Sequence, residues 1–126
     1  MLTEIYLQGK IPSLKNKRIN TRSGRSFPSK EYSDWLAYAQ MKYRAAWGNK
    51  EPVGFPLMVR VDAFGYRNDA DNLAGSLLDS MQSIIYKNDS QVEDLRIRVR
   101  RKPLTRNCYI GIYRLEDEKE NRELPA

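Results

Sequence analysis

Apolar residues along the chain follow two periods, one of alternate positions and one of three or four, and the runs break at glycine and proline. Glu4 to Gln8 alternates, with Ile5 and Leu7 on one side, which predicts a first strand. Residues 9–28 are rich in Lys, Arg, Asn, Ser and Gly, with Pro12 near the start and Pro28 closing the segment, so they read as a long basic loop. Loops of that length in small domains are functional or mobile. From Ser29, a helix N-cap by type, apolar residues recur at Tyr32, Trp35, Leu36, Ala39, Tyr43, Ala46 and Trp47 until Gly48. That spacing draws one face of an amphipathic helix, and it assigns Tyr32, Trp35 and Trp47 to core packing rather than base stacking.

After a turn between Pro52 and Pro56, Leu57 to Phe64 alternates as a second strand, with Leu57, Val59, Val61 and Ala63 facing one way. Asp71 or Asn72 can cap a second helix, whose apolar positions are Leu73, Leu77, Leu78, Met81, Ile84 and Ile85. Gly75 within it costs ~1 kcal/mol relative to alanine. Tyr86 to Ser90 reads as a turn. Residues 92–100 predict a third strand, with Leu95, Ile97 and Val99 inward and Arg96, Arg98 and Arg100 outward. Cys108, Ile110 and Ile112 mark a fourth, expected to pair with the third as a hairpin. The order β-α-β-α-β-β predicts a single α+β domain over 1–115, a four-stranded mixed sheet carrying two helices. The acidic tail 116–126 is expected to fray.

Composition narrows the class. A chain of 126 residues with 40% hydrophobic and 30% charged residues suits one globular domain. No apolar run approaches the ~20 residues of a membrane span, and no signal-peptide apolar region opens the chain. The expectation is therefore a cytoplasmic protein with no membrane partner. The lone Cys108 excludes an internal disulfide and any cysteine-based zinc cluster.

Charge is segregated behind the net value of +6. Residues 1–50 hold ten Lys/Arg against three Asp/Glu, residues 51–94 three against eight, and residues 95–114 seven against none. Basic flanks around an acidic centre suit a surface that draws in a polyanion around a negative pocket. A basic solvated surface is the plainer alternative. The chain has no histidine. General-base chemistry then falls to carboxylate, lysine or a water polarised by a metal.

Candidate chemistry gathers in two acidic patches, Asn68-Asp69-Ala70-Asp71-Asn72 and Asn88-Asp89-Ser90-Gln91-Val92. If the backbone at Asp69 and Asp71 is extended, both carboxylates point one way and can face one cation. Oxygen donors favour Mg²⁺ or Mn²⁺. Helix capping and turn formation explain the same residues without a metal. Asp79 and Glu93 are further carboxylates that a solvated face explains. The Arg96, Arg98, Arg100 stripe and the loop carrying Lys15, Lys17, Arg18, Arg22 and Arg25 read either as a phosphate track or as solvated charge.

On these residues the chain resembles the RusA family of Holliday junction resolvases, small and often prophage-encoded endonucleases that cut branched DNA using Mg²⁺. The specific part is Arg67-Asn68-Asp69-Ala70-Asp71-Asn72-Leu73, then a helix with Leu78-Asp79, then Asn88-Asp89-Ser90-Gln91-Val92. It is similar to the family's basic-x-Asp-x-Asp-Asn block followed by Asp-Asp-x-Gln-Val. The resemblance implies that Asp69, Asp71 and Asp89 are the essential metal-binding carboxylates, with Mg²⁺ (Mn²⁺ as alternative) as cofactor, branched DNA as partner and a homodimer as working unit. Arg67 and Lys87 join the basic residues expected at DNA. Two positions depart from the pattern: Asn88 replaces the first residue of the Asp-Asp pair, and Gly75 replaces a lysine four residues after the second aspartate. Lys87 is then a substitute cation, and a binding protein with weak or no cleavage is the alternative.

Reach also bears on the dimer. A helix from about Leu73 to Ile84 carries the chain ~18 Å from Asp71 at 1.5 Å per residue. The five residues from Ile85 to Asp89 span at most ~18 Å fully extended, and a turn consumes much of that. Asp89 is therefore expected far from Asp69 and Asp71 of its own chain. Antiparallel packing of two such helices brings each Asp89 to the other chain's pair, giving two equivalent sites. The alternative is an intramolecular site of two aspartates, with Asp89 a turn residue.

Overall fold

A computed structural model of the chain describes residues 1–13, 18–20, 22, 24 and 26–115, with the backbone alone for 18–20 and 26–28. Lys15, Lys17, Arg25 and the tail 116–126 lie outside the described residues. The elements are β1 (Thr3–Gln8), β2 (Arg18–Asn20), β3 (Ser26–Pro28), α1 (Lys30–Trp47), β4 (Leu57–Phe64), α2 (Ala70–Met81), a 3₁₀ turn (Asp89–Gln91), β5 (Val92–Arg100) and β6 (Asn107–Arg114). The α+β class and the order of the major elements follow the alternating and helical periods. The basic segment differs, since β2 and β3 pair there as a small antiparallel ribbon.

Helix α1 begins where expected, the Ser29 hydroxyl accepting the Tyr32 N–H at 3.1 Å. It ends at Gly48, whose φ of +77° suits glycine and whose N–H returns to the Arg44 carbonyl. Tyr32, Trp35, Ala39, Tyr43 and Trp47 are its buried face.

The main sheet runs β1-β6-β4-β5. The expected hairpin of the third and fourth strands is absent: β6 lies between β1 and β4, antiparallel to both, while β5 sits at the edge, parallel to β4. Burial explains the difference. Cys108, Ile110, Gly111 and Ile112 are all buried and suit a central strand, whereas the charged alternation of β5 suits an edge. Leu95 is correspondingly exposed rather than inward, and Ile97 and Val99 are half-buried.

One face of the sheet is dry. Ile5 and Leu7, Leu57, Val59 and Val61, and Ile110 and Ile112 pack with Tyr43 of α1 and Leu73, Leu77 and Met81 of α2. β4, α2 and β5 make a β-α-β crossover, the connection that two adjacent parallel strands require. Helix α2 starts earlier than the capping residues suggest, with Asp69 at the N-cap, and stops at Met81. Ile84 and Ile85 belong to the turn that follows, where Ile85 is still fully buried.

Candidate metal and nucleic-acid site

The β-α-β crossover fixes where the acidic residues lie. A helix that connects two parallel strands starts near the end of the first and finishes near the start of the second. Phe64 pairs with Arg100 and Leu57 with Val92, so Asp69 and Asp71 belong to one end of the unit and Asp89 to the other.

At the first end, Gly65 turns the chain out of β4 with φ of +83°. A Cβ there would meet the Thr105 carbonyl oxygen at 2.5 Å, and the Gly65 N–H donates to the Arg100 carbonyl at 2.7 Å. Three side chains then stitch this end to the segment leading into the basic loop. The Tyr66 hydroxyl donates to the Gly9 carbonyl (2.6 Å), the Asn68 amide to the Ile11 carbonyl (3.2 Å) and the Ser76 hydroxyl to the Pro12 carbonyl (2.6 Å). The Asp69 carboxylate makes no capping hydrogen bond, although Asp69 occupies the N-cap. Asp69, Asp71 and Arg67 are exposed. The partial positive charge of the helix N-terminus partly offsets the repulsion between these two carboxylates.

At the second end, Ser83 adopts φ of +70° and its N–H donates to the Tyr86 carbonyl at 2.7 Å, reversing the chain. Tyr86 is fully buried and its hydroxyl donates to the Leu78 carbonyl. Burial pushes the Tyr86 phenol up, and Tyr43 and the Asp89 and Asp79 carboxylates act in the same direction. A capping box then shapes the 3₁₀ turn. The Asn88 side chain accepts the Ser90 N–H at 2.8 Å, while the Gln91 side-chain oxygen accepts the N–H groups of Lys87 and Asn88, each at 2.9 Å. The Gln91 amide nitrogen donates to the carbonyls of Val53 (2.9 Å) and Phe55 (3.0 Å), so all of its hydrogen-bonding capacity is engaged. This gives Asn88, one of the two departures, a local reason: an amide oxygen caps the turn without adding a second negative charge beside Asp89.

Asp89 is exposed on this turn, and so is Lys87, whose chain lies along Gly54. Helix α2 has 12 residues, a rise of ~18 Å, between the two ends. Among the described residues no three His, Cys, Asp or Glu side chains of one chain converge on a point where a metal could bind. The donor set still suits a hard cation, as two open carboxylates at one end and a third at the other.

The arginine stripe occupies the sheet face away from the helices. Arg96 pairs with Asp94 at 3.3 Å, and Arg98 and Arg60 share the two oxygens of Asp62 at 3.3 and 3.2 Å. Arg100, exposed, makes no ion pair with a described residue, and its strand position adjoins the Asp69 end. Arg22 is exposed, and Arg18 opens β2. Gly75 is half-buried near the middle of α2, so no cation stands where the family pattern has one.

Sequence reasoning missed what Gln82, Gln91, Asn68 and Ser76 do, because each acts through a carbonyl or N–H that the fold brings to it. The Asp-x-Gln spacing of the second patch was the available signal for Gln91. Among the described residues, no helix is long and apolar enough to cross a membrane. No curated protein matches the chain. The family model of Endodeoxyribonuclease RusA matches residues 9–112, covering both acidic patches, both helices, β4 and β5 in whole and β6 in part, and the chain accordingly belongs to the RusA endodeoxyribonuclease family.

Proposed function

We propose that this protein is a Mg²⁺-dependent endonuclease that resolves four-way DNA junctions by paired nicks, working as a two-fold dimer. Each site takes Asp69 and Asp71 from one chain and Asp89 from the other. The observation that carries the reading is the separation of these exposed carboxylates to opposite ends of α2, within a family of endodeoxyribonucleases. A second copy related by a two-fold axis across α2 supplies the missing end twice over, which matches two nicks on a symmetric substrate.

Within that site Asp69, Asp71 and Asp89 hold the cation, Mg²⁺ or alternatively Mn²⁺. When bound, the cation offsets charge on the scissile phosphate and makes water a better nucleophile. Arg67, beside Asp69, and Lys87, beside Asn88, are exposed cations placed to meet phosphate from either end. Arg22 and Arg100 extend the basic surface, with Lys15, Lys17, Arg18 and Arg25 of the basic segment and the ion-paired Arg96 and Arg98 contributing to the same field.

Gly75 favours one second reading, a branched-DNA-binding protein with weak or no turnover. Incubating a labelled four-way junction with and without Mg²⁺ separates the two. Paired, Mg²⁺-dependent nicks that disappear in Asp71→Asn, with junction affinity level or raised, support the resolvase. Tight junction binding with no product at any Mg²⁺ or Mn²⁺ concentration leaves the binding protein. Equal cleavage of linear duplex would remove the junction preference.

A further inference from the structure

Asp89 is held by something other than its own turn. Its backbone N–H leaves the 3₁₀ turn and donates to the side-chain oxygen of Gln82, the residue that ends α2, at 2.9 Å. The amide nitrogen of Gln82 donates in turn to Asp79 Oδ1 at 3.3 Å, and the other oxygen of Asp79 accepts the Tyr32 hydroxyl of α1 at 3.3 Å. Three elements are thus connected in line, from the buried face of α1 through the last turn of α2 to the Asp89 turn. Gln82 and Asp79 are half-buried, and Tyr32 is buried.

The amide is what makes the link possible. Asp79 offers only acceptors and the Asp89 N–H only a donor, so the residue between them must donate on one side and accept on the other. Glutamate would meet Asp79 as a second carboxylate, and alanine would leave both neighbours apart. The Asn88 and Gln91 hydrogen bonds fix the shape of the turn, whereas the Gln82 hydrogen bond fixes its position against α2.

We infer that Gln82 is a positioning residue, braced by Asp79, that sets where the Asp89 carboxylate stands relative to α2 and hence to the metal site. The inference rests on the proposed role of Asp89 in metal binding. Its first consequence, however, is independent of metal. In the metal-free protein, amide hydrogen exchange at Asp89 should quicken at least tenfold in Gln82→Ala, and by less at Lys87 and Asn88, whose N–H groups Gln91 holds. Unchanged exchange at Asp89 overturns the link.

The second consequence is a metal effect. Gln82→Ala and Asp79→Ala should raise the Mg²⁺ concentration for half-maximal junction nicking several-fold, with junction affinity in EDTA unchanged. Asp79→Asn should recover most of the loss, since its side-chain oxygen can still accept from Gln82. Quickened exchange with an unaltered Mg²⁺ requirement, or an Asn variant no better than alanine, rejects the positioning role. If the unaltered protein nicks nothing at any Mg²⁺ concentration, the resolvase reading fails and the positioning role with it. The exchange rates still report whether Gln82 holds the turn.

Discussion

The two ends of α2 carry the same kind of group and hold it in different ways. At the Asp69 end, carboxylates project from a helix start whose surroundings are tied by Tyr66, Asn68 and Ser76 to carbonyls 57 to 64 residues away in the chain. At the Asp89 end, the turn is set within a few residues by Asn88 and Gln91, and only then fastened outward through Gln82 and the Val53–Phe55 segment. The first end depends on the whole fold, and the second is nearly a local motif. Perturbations should therefore spread from the first and stay confined at the second.

Mixing variants of the two ends gives the largest contrast. Asp71→Asn and Asp89→Asn chains should each be inactive, but a heterodimer holds one intact site and one doubly damaged site. Nicking should return, with single nicks dominating over paired ones on a gel. No recovery in a heterodimer demonstrated by differential tagging would rule out a shared site.

Gly65→Ala should be the most destabilising change at the Asp69 end. The left-handed backbone alone costs ~1–2 kcal/mol for an L-residue, and the new Cβ adds a collision with the Thr105 carbonyl. Thermal melting should fall by several degrees, with both cleavage and junction binding reduced. A melting point equal to that of the unaltered protein would mean that the turn after β4 tolerates a side chain.

Gln91→Ala tests the confined end. Four hydrogen bonds disappear, but water can replace those on exposed N–H groups, so the net cost should be about 2 kcal/mol. Amide exchange should quicken at residues 87–90 and not at residues 66–76. Exchange that spreads to Asn68 or Ser76 would abolish the contrast between the ends.

Ser76→Ala should cost ~1 kcal/mol by freeing the buried Pro12 carbonyl. If this bond orients the chain leading into the basic segment, junction affinity should weaken more than Mg²⁺ dependence. The reverse ordering would place Ser76 with the metal site.

Replacing Arg96 and Arg98 by alanine should give the smallest effect. For every phosphate that is no longer neutralised, the salt dependence of binding should flatten by ~0.9 per log unit. Because both arginines already pair with carboxylates, a shallow change is expected. An unaltered slope would move the phosphate track to Arg100, Arg67 and the basic segment.

Legibility from sequence followed the range of the interactions. The amphipathic face of α1, the Ser29 cap, the alternation of β4 and the acidic patches are set by neighbours within a few positions, and each was readable. The separation of Asp89 from Asp69 and Asp71 was readable too, because helical rise and chain reach are properties of the backbone. Asp69 as the N-cap was not: residue type suggested Asp71 or Asn72, and the fold starts α2 earlier.

Strand pairing was decided elsewhere. Two strands adjacent in sequence look like a hairpin, yet β6 leaves β5 and enters between β1 and β4, since a strand that buries Cys108, Ile110, Gly111 and Ile112 gains most when both of its neighbours are strands. Hydrophobic pattern states which residues are buried, not which partner buries them. The same limit applies to Gln82, Asn68 and Ser76, polar residues with no periodic signature whose roles exist only once a distant N–H or carbonyl arrives beside them. Residue type and backbone reach were enough to mark the candidate carboxylates and the distance between them. Which strand lies at the centre, and what holds each carboxylate in place, emerged only from the assembled fold, because both depend on segments that meet in space and share no local pattern.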